Sequence, residues 1–189
     1  MVLHDLISFV RLGFFYQQKY YILPMTYLYI WRFQPFHLWH LDAIQQCRDD
    51  GADHVIIGVW SSTSDISPTN PRTLQQRVEM LQLWLQESNI DMNRITLMPI
   101  PDFATDSERY EYIIDRLPSF DVVVSGNERV QEIFDSCQCE ILDPEVNTNV
   151  DTHATQIKQR IVEKNYKKAQ EALPTSVWKY IQTHEWYTL

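Results

Sequence analysis

The chain has 189 residues, 16 Lys and Arg against 25 Asp and Glu, a formal net charge of −9, and 13% aromatic residues. This length suits one domain with a sizeable core, and the aromatic content excludes wholesale disorder. An acidic balance without a block of basic residues excludes a nucleic-acid binder that works by counterion release. Glycine is scarce. Four Gly stand beside six Trp, where average usage gives about 13 Gly in a chain this long. Such a shortage penalises loops that need positive φ or close backbone approach.

The first 24 residues are apolar and aromatic but broken by Asp5, Arg11 and Lys19. They hold no apolar run of the ~18 residues that a membrane span needs. They read as an N-terminal extension or a misassigned start, the alternative being an amphipathic element packed on the domain. Residues 25–189 then form the domain, with Met25 directly before its first strand. From there strands and helices alternate. Tyr27–Ile30 is a short apolar strand, followed by a helix over 38–48. His54–Val59 is a β-branched run, the pattern of a buried parallel strand. A polar loop spans 61–71, and a helix over 74–87 aligns Leu74, Val78, Leu81 and Leu85 on one face. Strands follow at 95–99, 120–124 and 139–142, with helices at 107–117 and 128–134. Two C-terminal helices, at 155–163 and 176–184, are separated by Pro174. This order predicts an α/β fold built on a doubly wound parallel sheet. Cys47, Cys137 and Cys139 form no disulfide framework or zinc spacing and read as reduced thiols.

In such a sheet, ligands bind at the carboxyl ends of the strands. The end of the first strand carries Trp31-Arg32-Phe33-Gln34-Pro35-Phe36-His37-Leu38-Trp39-His40. His37 and His40, at i and i+3, share one side of a helix's first turn. A helix N-terminus supplies N–H groups and positive dipole, and Arg32 and the imidazoles add donors, so a triphosphate fits there. Two satisfied core histidines are the plainer reading. Zinc is the weaker one, because no third ligand stands at useful spacing.

RFQPFHLWH resembles the GRFQPFHxGH signature of the archaeal-type nicotinamide-nucleotide (NMN) adenylyltransferases, in the HxGH nucleotidyltransferase superfamily. HVIIGVWSST, Asn70-Pro71-Arg72-Thr73 with Arg77, MPIPD (98–102), FDVVVSGN (120–127) and TQIKQRI (155–161) resemble later family motifs, in order. The resemblance implies a Rossmann-like sheet of the HUP type with C-terminal helices. It implies transfer of AMP from ATP to the 5′-phosphate of NMN, giving NAD and pyrophosphate. Mg²⁺ is the implied cofactor, entering with ATP. The implied setting is cytoplasmic, without nucleic acid or membrane, and compatible with a homo-oligomer. By the same resemblance His37 and His40 stabilise the α-phosphate, while Arg32, Lys158 and Arg77 neutralise the β,γ-phosphates. Phe33, Trp31, Trp39, Ser125, Gly126, Asn127 and Thr155 belong to the nucleotide cleft, and Tyr110 stands where the family stacks an aromatic on nicotinamide.

Departures from the pattern are informative. His153-Ala154 replaces Ser-Gly before Thr155. Lys158 replaces Arg, which keeps the charge without the bidentate fork. Trp31, Trp39 and Trp60 stand at family glycines, and an indole at 39, between the two histidines, should abolish ATP binding. Independent decay would scatter these changes over several residue types. All three running from Gly to Trp suggests recoding: a gene whose UGA codons mean glycine, translated with a table that reads UGA as tryptophan. Trp178 reads as ordinary core. Two other readings stay open at this point. One is a nucleotidyltransferase for another acceptor (nicotinic acid mononucleotide, FMN or a phosphopantetheine-type phosphate). The other is a non-catalytic nucleotide-binding relic.

Overall fold

A computed structural model describes residues 24–67, 70–135, 137, 139–145 and 153–184. Five strands, β1 (Thr26–Trp31), β2 (His54–Val59), β3 (Ile95–Pro99), β4 (Val122–Val124) and β5 (Glu140–Leu142), form one sheet in the order β3-β2-β1-β4-β5. Every pairing is parallel. The helices are α1 (Leu38–Asp49), α2 (Leu74–Glu87), α3 (Asp106–Arg116), α4 (Glu128–Phe134), α5 (Ala154–Val162), α6 (Tyr166–Gln170) and α7 (Thr175–Thr183). This is the α/β Rossmann-like architecture expected. The strand order reverses between β1 and β4, and that opens a crevice at their carboxyl ends.

Period-two alternation in β1 divides the core. Tyr27 and Tyr29 face a layer that contains Ala43, Ile44 and Cys47 of α1, Met80, Leu81, Trp84 and Leu85 of α2, and Val177, Trp178 and Ile181 of α7. Leu28 and Ile30 face the opposite layer, with Ile113 of α3 and Val130, Ile133 and Phe134 of α4. β2, β3 and β4 each hand the chain to a helix with a side-chain cap. Thr73 with Gln76 and Thr105 with Glu108 make capping boxes on α2 and α3, and the Asn127 side chain accepts from Arg129 N–H to cap α4.

Element bounds match the sequence reading closely, with three differences. β4 starts at Val122, because Asp121 is held by Thr26 instead: its N–H donates to the Thr26 carbonyl and its carboxylate accepts from Thr26 N–H, both at 2.8 Å. A third C-terminal helix, α6, stands between the two expected. It has five residues, too few for periodicity to show. Cys137 and Cys139 are joined in a disulfide rather than left as thiols; their Cα atoms are 5.2 Å apart, within the span such a bond bridges. Trp178 is core, as expected, against Tyr166. The reading of an N-terminal extension concerns residues 1–24, of which 1–23 lie outside the described residues, as does Trp186.

Gly58 shows what glycine does in the middle of this sheet. A Cβ built there would lie 2.7 Å from Ile100 Cδ1 and 3.2 Å from Ile30 Cγ1, and both side chains are buried. Gly58→Ala is therefore expected to lower unfolding free energy by about 1–3 kcal/mol through overpacking. Denaturant melts would measure the loss, and Ile100→Val should restore part of it.

Candidate active site

The segment leaving β1 turns sharply, with Phe33 at φ 55° and its ring wholly buried. It enters α1 at His37, which caps the helix without a side-chain hydrogen bond. A cleft of about 370 Å³ opens beside this turn, at the carboxyl ends of the strands. Arg32 and Gln34 line it from the β1 exit, Trp60 from the β2 exit, Asn127 and Arg129 from the start of α4, and Thr155 and Lys158 from α5. Arg32 is exposed and Lys158 half-buried. Burial holds the Lys158 ammonium below its usual pKa, with the Arg32 charge adding to the shift. The cleft is thus a basic pocket on an acidic protein.

The two histidines do not reach it. His37 is 3% exposed and His40 0%, with their rings stacked at 3.9 Å. The indoles of Trp31 and Trp39 lie 4.8 Å apart, and each meets the His40 ring edge-on at 5.5 Å. Trp39 also reaches across the crevice: its Cζ2 would lie 3.4 Å from a Cβ on Gly126. Two side chains therefore fill the space between the histidines and the end of β4. Beneath them His37 Nδ1 and His40 Nε2 are buried without a hydrogen-bond partner. Burial lowers the His37 pKa to about 3, with the His153 charge contributing. It pushes His40 well below the usual range, His37 adding to the effect. Both imidazoles are neutral at physiological pH.

The remaining expected residues divide. Thr155 and Asn127 line the cleft with Arg32 and Lys158. Ser125 is wholly buried at the end of β4, where its Oγ accepts from Asn127 N–H and fixes the turn through Gly126. Tyr110 packs on Phe134 within the second core layer and is not among the cleft-lining residues. Arg77 is not among them either. It is 1% exposed, and its guanidinium donates to the carbonyls of Trp60 at 2.6 Å, Ser61 at 2.8 Å and Arg32 at 3.1 Å. Burial lowers its pKa to about 10, so it stays charged at neutral pH. It organises the strand ends from below.

Six lining residues were not among the expected site residues; three of them are Gln34, Arg129 and Trp60, the last noted from the sequence only as a departure at a family glycine. Gln34 stands inside the quoted motif, and its side-chain nitrogen is buried without a partner. Arg129 is held at the cleft by Asp106, at 3.0 and 3.2 Å, and this pairing keeps the Asp106 carboxyl below its usual pKa. Trp60 lies under the Arg109 guanidinium, 4.5 Å from the ring centroid. The Asp-Arg spacing of 23 residues in Asp106–Arg129 carries no local sequence signal.

The cleft-lining set contains no carboxylate, and among the described residues no group of three His, Cys, Asp or Glu side chains is placed to hold a metal ion. A divalent cation that arrives on a polyphosphate and keeps its waters fits these donors better than a resident ion bound by the protein. Among the described residues no helix is long and apolar enough to cross a membrane.

Comparison with known proteins agrees with this architecture. The cytidylyltransferase-like family profile matches residues 28–171. The chain is 34% identical to the nicotinamide-nucleotide adenylyltransferase of Saccharolobus solfataricus, over 82% of this chain and 88% of that one. It is 32% identical to the enzyme of the same name from Thermococcus kodakarensis, over 82% and 81%. Two crystal structures of a bifunctional NMN adenylyltransferase/ADP ribose pyrophosphatase from Francisella tularensis share the fold. One superposes with a TM-score of 0.67 at 20% identity, over 87% of this chain. The other, complexed with AMP and a manganese ion, superposes with a TM-score of 0.60 at 23% identity, over 75%. This chain spans 52% and 42% of those two longer chains.

Two stability effects follow from the geometry. Arg77→Met strands carbonyls of both strand exits and is expected to cost at least about 3 kcal/mol, read as a lowered denaturation midpoint. His37 must gain a proton on unfolding below pH ~6.5 but not in the fold above about 3. Its contribution is therefore complete above the unfolded pKa and falls away as the pH drops toward the folded one. At pH 5 the loss is about 2 kcal/mol. In His37→Asn, the decline in stability between pH 7 and 5 should be smaller by that amount.

Proposed function

The chain belongs to the cytidylyltransferase-like family, and from that premise we propose that it transfers the AMP moiety of ATP to the 5′-phosphate of NMN, forming NAD and pyrophosphate. The carrying observation is the basic cleft at the β1/β4 switch point. Arg32, Lys158 and Thr155 converge there with Trp31, which packs in turn on His40, in a chain at least 32% identical to two enzymes of that activity. A phosphate oxygen of NMN attacks the α-phosphorus in line. The bond to the bridging oxygen breaks, and pyrophosphate leaves with the electron pair. The nucleophile is already anionic, so positioning and charge neutralisation suffice. Arg32 and Lys158 neutralise the β,γ-phosphates, Thr155 donates to them from the start of α5, and His37 and His40 face the α-phosphate. Asn127 and Gly126 border the nucleotide. Mg²⁺ on the triphosphate would supply further charge neutralisation. Substrates of this kind fit a cytoplasmic enzyme.

This reading requires the histidines to meet the phosphate, and the indoles of Trp31 and Trp39 stand in the way. We take Trp31, Trp39 and Trp60 as glycines of a gene that reads UGA as glycine. A non-catalytic relic is the second reading, favoured by the closed cover over the histidines if the tryptophans are native. NAD formation from NMN, ATP and Mg²⁺ separates the two. The chain carrying Trp31→Gly, Trp39→Gly and Trp60→Gly is expected to form NAD, and the chain as written at least 100-fold less, the order of magnitude lost with one transition-state donor. A folded glycine variant without activity favours the relic or another acceptor. UGG at codons 31, 39 and 60 would sink the recoding.

A further inference from the structure

We propose that Tyr29 is a positioning residue for His40: its phenol donates to Nδ1 and so fixes the imidazole as the neutral tautomer with its hydrogen on Nε2. The assignment of Nε2–H to an α-phosphate oxygen rests on the function proposed above; the tautomer does not.

Tyr29 lies in the middle of β1, and its Oη stands 2.9 Å from His40 Nδ1, with both side chains wholly buried. Packing alone would accept Phe at this position, whereas a buried phenol is costly unless it is hydrogen-bonded. The two possible directions of the bond are not equivalent. If Nδ1–H donated to Oη, the phenol hydrogen would have no acceptor and Nε2 would be a bare lone pair without a donor, two unpaired groups in a dry site. If the phenol donates to Nδ1, only Nε2–H is left unpaired. A stranded buried group costs about 1–3 kcal/mol, which decides for the second arrangement.

The surroundings favour the same form. In the chain as written His40 is enclosed by the rings of Tyr29, Trp31, Phe33, Phe36, His37 and Trp39, and those of Tyr29, Phe33, Phe36 and His37 do not depend on the residues at 31 and 39. None of these neighbours offers a carboxylate to stabilise an imidazolium. Burial depresses the His40 pKa and raises that of Tyr29, so the phenol keeps the hydrogen it donates. An imidazole held this way gives one N–H, on the atom across the ring from Tyr29, without carrying charge. Since the free nitrogen is a donor and never a base, it suits a reaction whose nucleophile needs no deprotonation.

The tautomer can be read without activity, from long-range ¹H–¹⁵N correlations of the ¹⁵N-labelled chain near pH 7. The expected spectrum shows His40 Nε2 protonated and Nδ1 bare, and Tyr29→Phe should convert a substantial fraction to the Nδ1–H form. A parent with hydrogen on Nδ1, or a tautomer unchanged in Tyr29→Phe, overturns the proposal. Should Tyr29→Phe fail to fold, the parent spectrum still decides the tautomer. In whichever chain forms NAD, Tyr29→Phe is expected to lower kcat about tenfold with KM for ATP within about twofold, the loss of one well-placed donor. An unchanged kcat would refute the positioning role. Absence of NAD formation in every chain would strike the proposed function and leave the tautomer result standing.

Discussion

Where parallel strands end, their last carbonyls point along the sheet with no neighbouring strand to answer them, and the chain must turn away at once into a loop. In this protein one buried guanidinium, Arg77, collects such carbonyls from two strand exits, at Arg32 after β1 and at Trp60 and Ser61 after β2. Both exits take backbone conformations that L-residues seldom adopt, with φ of 55° at Phe33 and at Ser61. Three donors in a rigid fork hold them there. The cleft depends on this clamp, because the same turns set Arg32, Gln34 and Trp60 along its wall. A buried charge answered by carbonyl dipoles also keeps its positive sign, although burial and then the Arg32 charge lower its pKa against the opposing pull of Asp102. The clamp thus contributes to the field at the strand ends without touching a ligand.

Much of the fold was legible because its signals are local. The β-branched run of β2 and the apolar face of α2 need only a few neighbouring residues to be read. Helix α6 has five residues and no period to detect, and β4 lost its first two expected residues to a long-range exchange between Asp121 and Thr26. The site was legible to the extent that motifs name residues. Arg32, Thr155, Lys158 and Asn127 do meet in one cleft. Arg77 shows the limit of that method, since a cation beside a phosphate motif looks the same in one dimension whether it faces a ligand or a carbonyl. Arg129 shows the converse: its place is set by Asp106, across 23 residues, and no pattern announces it.

Electrostatics divides the site into two layers. Permanent cations, Arg32, Lys158 and Arg129, stand at the rim, where water screens them and a polyphosphate can find them. Below lie two imidazoles that burial keeps neutral, with His40 held by Tyr29. Charge attracts the anion, whereas neutral donors in a dry setting discriminate by direction, and a hydrogen bond there is worth more than one in water. The arrangement works only if the two layers can meet the same ligand.

In the chain as written they cannot, and the obstacle is steric and specific. Trp31 and Trp39 pack on each other and on His40, and Trp39 extends to Gly126, one of the few glycines the chain retains. Close approach at a switch point normally requires glycine on the strand exit, because any side chain there projects into the ligand's place. The shortage of glycine is therefore not spread evenly through the molecule. The glycine at the middle of the sheet, Gly58, where a Cβ would strike Ile100, is present. Around positions 31 and 39 the buried histidines below and the cations of the cleft above remain in place. A relic drifting freely would be expected to lose Tyr29, His40 or Lys158 as readily as its glycines. Three of the departures from the family pattern, at 31, 39 and 60, share one exchange, glycine to tryptophan, and a single misread codon accounts for all three, whereas His153, Ala154 and Lys158 depart otherwise and lie outside that account.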